Sequence, residues 1–77
     1  MRLTEKQSKA LKAYEQTMEF AVNCIALATF AKLGCKTEGA NCLGEFAYDL
    51  VRNCGVSPQQ GVELALGYCD EIVRAEV

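Results

Sequence analysis

The sequence predicts an all-α protein: a three-helix bundle with a long first helix, assembled as a dimer. Two observations carry the fold class. Apolar residues recur at three- and four-residue steps in three segments, parted by Gly34 and by Gly55-Val56-Ser57. No stretch alternates with period two, so no strand is predicted. A third observation sets the centre. Phe20–Leu33, FAVNCIALATFAKL, is apolar on nearly every side and broken only by Asn23, Thr29 and Lys32. A helix apolar all round is expected to be buried all round. This one is too short and too interrupted to span a bilayer. It is the predicted core helix, which the rest of the chain must cover.

The first helix is predicted over 5–33. Thr4 offers an N-cap, and Leu11, Tyr14, Met18, Ala21, Ile25 and Ala28 form a heptad seam. A second stripe, Phe20, Cys24, Leu27 and Ala31, joins only in the second half. Lys32 suits the negative end of the dipole, and Gly34 stops the helix. The second helix is predicted over 38–54. Thr37 caps it, and Ala40, Leu43, Ala47, Leu50, Val51 and Cys54 share one face with Phe46 beside them. Asn41, Glu45, Tyr48 and Arg52 lie opposite. The third is predicted over 58–75. Ser57-Pro58-Gln59-Gln60 reads as N-cap, N1 proline and a capping-box glutamine. Val62, Ala65, Leu66, Cys69, Ile72 and Val73 then give its apolar face. Gly44, Gly61 and Gly67 fall inside helices, where glycine costs up to about 1 kcal/mol against alanine. Close approach of two helices is one reason to place it there.

The dimer follows from length. A continuous 5–33 helix spans about 45 Å and the third helix only about 27 Å. Two short helices cannot cover the seam of Leu11, Tyr14 and Met18, so a second copy is expected on Leu11, Tyr14, Met18 and Ile25. The rival is a break near Gln16-Thr17 that folds Leu3–Ala13 back as a fourth helix. No proline or glycine marks such a break.

Composition narrows function. The 77 residues make a single domain, 1–77, with 51% hydrophobic and 23% charged residues and a net charge of −2. Arg2, Lys6, Lys9 and Lys12 stand against Glu5 at the start. Lys32, Lys36, Arg52 and Arg74 stand against the other nine of ten acids. Met1–Lys12 lacks the apolar core of a secretory signal, and five cysteines is an odd number, so a reducing, cytoplasmic setting is expected.

Catalytic chemistry is not indicated. There is no histidine, hence neither the commonest general base nor the commonest metal ligand. Cys24, Cys35, Cys42, Cys54 and Cys69 contain no C-x-x-C pair, and three fall on apolar helix faces as small hydrophobes. Cys35 and Cys42 lie where a helix N-terminus lowers a thiol's pKa, so a reactive cysteine is the one exception to weigh. Asp70 and Glu71 are adjacent and do not face each other on a helix. Gly39 and Gly44 form no phosphate loop, since no Lys-Ser/Thr follows them. No catalytic residue, metal, disulfide or cofactor is expected.

Two binding readings remain. The second helix, the Cys54–Ser57 turn and the third helix resemble the outline of a helix-turn-helix. That resemblance implies a DNA-binding transcriptional regulator using Gln59 and Gln60. Glu63, Asp70, Glu71 and Glu76, against Arg74 alone, oppose a phosphate-facing role for that helix. Tyr48, with Arg52 one turn away and Glu45 beside it, is the better hint, because tyrosine gives rigid contact area at low entropic cost. The expected function is non-enzymatic: a small protein that binds another protein, as adaptor or inhibitor. A phage or mobile-element modulator of a host complex, such as an anti-defence protein, would have this size and composition.

Overall fold

The computed structural model describes residues 1–76 of the predicted 1–77 domain. It is all-helical, with four helices rather than three: α1 (Glu5–Tyr14), α2 (Met18–Leu33), α3 (Lys36–Cys54) and α4 (Pro58–Glu76). No helix among the described residues is long and apolar enough to cross a membrane.

The continuous first helix is corrected at Glu15-Gln16-Thr17. The turn is built from hydrogen bonds rather than from a helix breaker. Gln16 N–H donates to Ala13 C=O at 3.1 Å, and Thr17 N–H to Tyr14 C=O at 2.9 Å. The Thr17 hydroxyl donates to the same carbonyl at 2.6 Å and accepts from Phe20 N–H at 3.3 Å. Thr17 has extended backbone (φ −93°, ψ 158°), so it closes one helix and caps the next without a positive φ. Its neighbour Glu19 sits in the first turn of α2, where a carboxylate suits the dipole. The molecule is 36 Å along its longest axis, shorter than a continuous 5–33 helix would need.

Apart from the start of α3, which begins at Lys36 after an uncapped Cys35 rather than at a Thr37 cap, the other termini follow local chemistry. Thr4 and Gln7 form a full capping box, as do Ser57 and Gln60. Gly34 (φ 72°) and Gly55 (φ 68°) end α2 and α3 in the left-handed conformation that glycine adopts at no steric cost. The Gln7 side chain also donates to Gly55 C=O at 3.1 Å, pinning α1 to the end of α3.

Each helix supplies one aromatic ring to the centre. Phe20 of α2 lies edge-on to Tyr14 of α1 (5.8 Å), Phe46 of α3 (5.8 Å) and Tyr68 of α4 (5.1 Å). Phe46 and Tyr68 stack at 5.4 Å. Leu27, Leu50, Cys54, Val56 and Ala65 complete the buried set. Polar tips are satisfied at the edge of this cluster. Tyr68 donates to Glu15 Oε2 at 2.7 Å, and Asn23 Nδ2 donates to the Tyr14 hydroxyl and to Asp49 Oδ2, both at 3.0 Å.

Two predicted faces are revised. On α4, Gly61 and Ala65 are buried with Leu64, Tyr68 and Ile72 packed inward, whereas Val62, Leu66 and Val73 are exposed. On α2, only Leu27 is fully buried. The helix expected to be covered on all sides is covered on one. The glycines divide as well. A Cβ on Gly61 would lie 2.8 Å from Val51 Cγ2 and 2.9 Å from Ala47 O, so α3 and α4 approach closely there. Gly44 and Gly67 face open space.

Candidate partner-binding surface

The uncovered side of α2 is the main feature of the surface. Met18, Val22, Ile25 and Leu33 are 78%, 55%, 65% and 66% exposed. Steps of four, three and eight residues place them on one helical face, with Thr29 between Ile25 and Leu33. The Thr29 hydroxyl donates to Ile25 C=O at 2.8 Å, so its donor is satisfied within the helix. Phe20, Cys24 and Leu27 occupy the opposite face, in or against the core. The stripe is therefore what remains of a helix apolar all round once one half has been buried.

The stripe has an acidic flank. Met18 and Val22 line a hollow with Glu19 and Asn23 of α2 and with Glu45 and Asp49 of α3. Glu45 and Asp49 also line a second, larger groove along α3, about 840 Å³ and open to solvent, with Glu38, Asn41, Cys42 and Tyr48. Tyr48 is exposed, and the Arg52 guanidinium lies 5.8 Å from its ring centroid, within cation–π range. Among the described residues the one ion pair is Lys9–Glu5 at 3.7 Å on the surface of α1. The carboxylates beside the stripe have no such partner.

The residues singled out from the sequence divide accordingly. Tyr48, Arg52 and Glu45 fall together on the α3 side of this surface. Met18 and Ile25 fall on the stripe. Leu11 packs against the core and Tyr14 is buried within it, so these two are turned inward rather than toward a second copy. Val22 and Leu33 lie within the apolar run that the sequence assigns to the core, and the structure places them on the surface instead. The available signal was the four-residue spacing of Met18 and Val22 opposite Phe20 and Cys24.

The cysteines supply no metal-binding group among the described residues. All five are free thiols, and no group of three or more metal-ligating side chains converges among the described residues. Cys35 is the N-cap residue of α3 but makes no side-chain capping bond. Burial pushes the Cys42 thiol up, with Glu45 and Glu38 adding to the effect, which reverses the activation expected from the helix N-terminus. Burial also raises Cys24 and Cys54.

Two tyrosines make the fold sensitive to alkali. Burial raises Tyr68 well above its ordinary pKa near 10, and its hydrogen bond to Glu15 and that carboxylate's charge raise it further. Burial raises Tyr14 too, partly offset by the bond from Asn23. Between the unfolded and folded pKa values the folded chain holds protons that the unfolded chain has released. Their stabilisation is thus complete below about pH 10 and is lost as pH rises beyond it. A circular-dichroism titration is expected to show cooperative loss of helix above pH 10, coincident with tyrosinate absorbance. Tyr68→Phe should move that transition to higher pH. Full tyrosine ionisation with the helix signal intact would contradict this.

Comparison with protein-family models, with curated proteins and with solved structures gives no match for this chain.

Proposed function

We propose that the chain is a non-enzymatic protein-binding module, an adaptor or inhibitor that works in the cytoplasm through the α2–α3 face. The supporting observation is the α2 stripe. Four large apolar side chains on one helical face, each more than half exposed, form a contiguous patch rather than the scattered exposure normal on any surface. Tyr48 and Arg52, residue types favoured at interface hot spots, stand on the adjoining helix.

The DNA-binding reading is weaker. The exposed face of α4 carries Glu63, Asp70 and Glu71 together with Val62, Leu66 and Val73, and would meet phosphates with carboxylates and apolar groups. Random duplex DNA titrated at rising salt separates the two, since a DNA binder loses affinity steeply.

Affinity capture from the source cell, with the doubly substituted Val22→Glu, Ile25→Glu chain beside the wild type, tests the proposed face. Both positions are exposed, so folding should be retained. Proteins held by the wild type should be lost from this variant and kept by Val62→Gln, Leu66→Gln, which alters α4 instead. Equal recovery by the wild type and both variants would overturn the proposal.

A further inference from the structure

Resting on the protein-binding reading, we infer that the partner presents a cationic amphipathic helix, laid along the α2 stripe with its basic side toward α3. From Met18 to Leu33 the stripe is about 22 Å long, some four helical turns. That is the size of groove an amphipathic helix fills with anchors at i, i+3/i+4 and i+7. The hollow at the Met18 end, which Arg52 does not line, decides the sign of the occupant's charge. Glu19, Glu45 and Asp49 share a hollow with Met18 and Val22, and none of them is ion-paired among the described residues. A helix whose apolar side covered Met18 and Val22 would carry its flanking residues against these carboxylates. Lysine or arginine there would gain attraction, and glutamate would be repelled. The opposite end of the stripe carries Lys32 in the last turn of α2 and Lys36 in the first turn of α3. The occupant's basic residues therefore belong at the Met18 end.

A second copy fits less well. In a two-fold pair of facing antiparallel helices, each flank meets the same flank of the partner. Because the helices run antiparallel, the carboxylates at the Met18 end of one copy would lie toward Lys32 and Lys36 at the Leu33 end of the other. A second copy is thus charge-compatible and is set aside on length instead. The uncovered seam that calls for a dimer is absent, because α1 folds back and Tyr14 is buried within its own chain.

The test uses the full chain and three synthetic peptides of about 18 residues. One is an amphipathic leucine–lysine helix, the second replaces lysine with glutamate, and the third scrambles the leucine–lysine sequence to destroy the apolar face. The lysine helix is expected to bind with a micromolar Kd that weakens as salt rises, and the other two at least about tenfold more weakly. Glu19→Lys with Glu45→Lys, both exposed, should reverse the preference in favour of the glutamate helix. A merely structural role for these carboxylates would not produce that reversal. Three results would overturn the inference: equal binding of the lysine and glutamate helices, no effect of the charge reversal, or a dimer mass at tens of micromolar that Ile25→Glu converts to a monomer. The last would make a second copy the occupant. If the peptides show no charge preference while Val22→Glu, Ile25→Glu still abolishes capture, the cationic class falls and the protein-binding reading stands. If neither responds, both fall.

Discussion

Phe46→Ala is expected to cost about 3–5 kcal/mol, a large fraction of the stability of so small a domain. Phe46 is fully buried, and its ring meets Phe20 edge-on and stacks on Tyr68. Truncation removes the transfer energy of the ring, opens a cavity and deletes two aromatic contacts, each worth roughly 0.5–1.5 kcal/mol beyond area. The cavity would not collapse easily, because its walls come from α2, α3 and α4 and each is fixed by other contacts. A domain of this length is stabilised by only about 4–12 kcal/mol in total. A urea titration should show the midpoint falling by a large fraction of its wild-type value. Ile25→Ala is the control: it removes a side chain that is 65% exposed and should shift stability by no more than about 0.5 kcal/mol. Equal midpoints for the two variants would mean that the aromatic cluster does not hold the helices together.

Helix content and most boundaries could be read from local chemistry. Ser57-Pro58-Gln59-Gln60 starts α4, and Gly34 and Gly55 close α2 and α3. The break before α2 was written in the same code, since Thr17 followed by Glu19 is an N-cap with an acid in the first turn. The unbroken seam Leu11, Tyr14, Met18 argues the other way. A seam records that side chains are apolar, not what covers them. Tyr14 is covered by its own chain, and Met18, on the far side of the turn, is not covered at all.

The same ambiguity hid most of the candidate surface. FAVNCIALATFAKL implies burial on all sides, but its neighbours α3 and α4 in a chain this small pack on one side only. Val22, Ile25 and Leu33 are left facing water. On α4, apolar residues occur on both sides, and periodicity alone does not show that Gly61 and Ala65, rather than Val62 and Leu66, face α3. Tyr48, Arg52 and Glu45 could be placed because α3 has a polar face. Their neighbours on α2 depend on tertiary packing.

Gly61→Ala is expected to destabilise the protein by about 1–3 kcal/mol, the usual cost of overpacking, although alanine is the better helix former. Gly61 has an ordinary negative φ, so conformational strain is not the issue. Space is. The added methyl would sit 2.8 Å from Val51 Cγ2 and 2.9 Å from the carbonyl oxygen of Ala47. Val51 could rotate away. The Ala47 oxygen is backbone within a 19-residue helix and can yield only if α3 and α4 separate. That separation would loosen the adjoining stack of Phe46 on Tyr68, so near-ultraviolet dichroism should weaken along with stability. Gly44→Ala and Gly67→Ala provide the contrast. Both glycines lie in helices with nothing within 4 Å of the new Cβ. The propensity gain of up to about 1 kcal/mol should appear undiminished there. At roughly 4–8 °C per kcal/mol for a domain of this size, thermal melts should move down for Gly61→Ala and up for the other two. A rise in Tm for Gly61→Ala equal to that of Gly44→Ala would show that the two helices have room to spare, and that the glycine is there for some reason other than close packing.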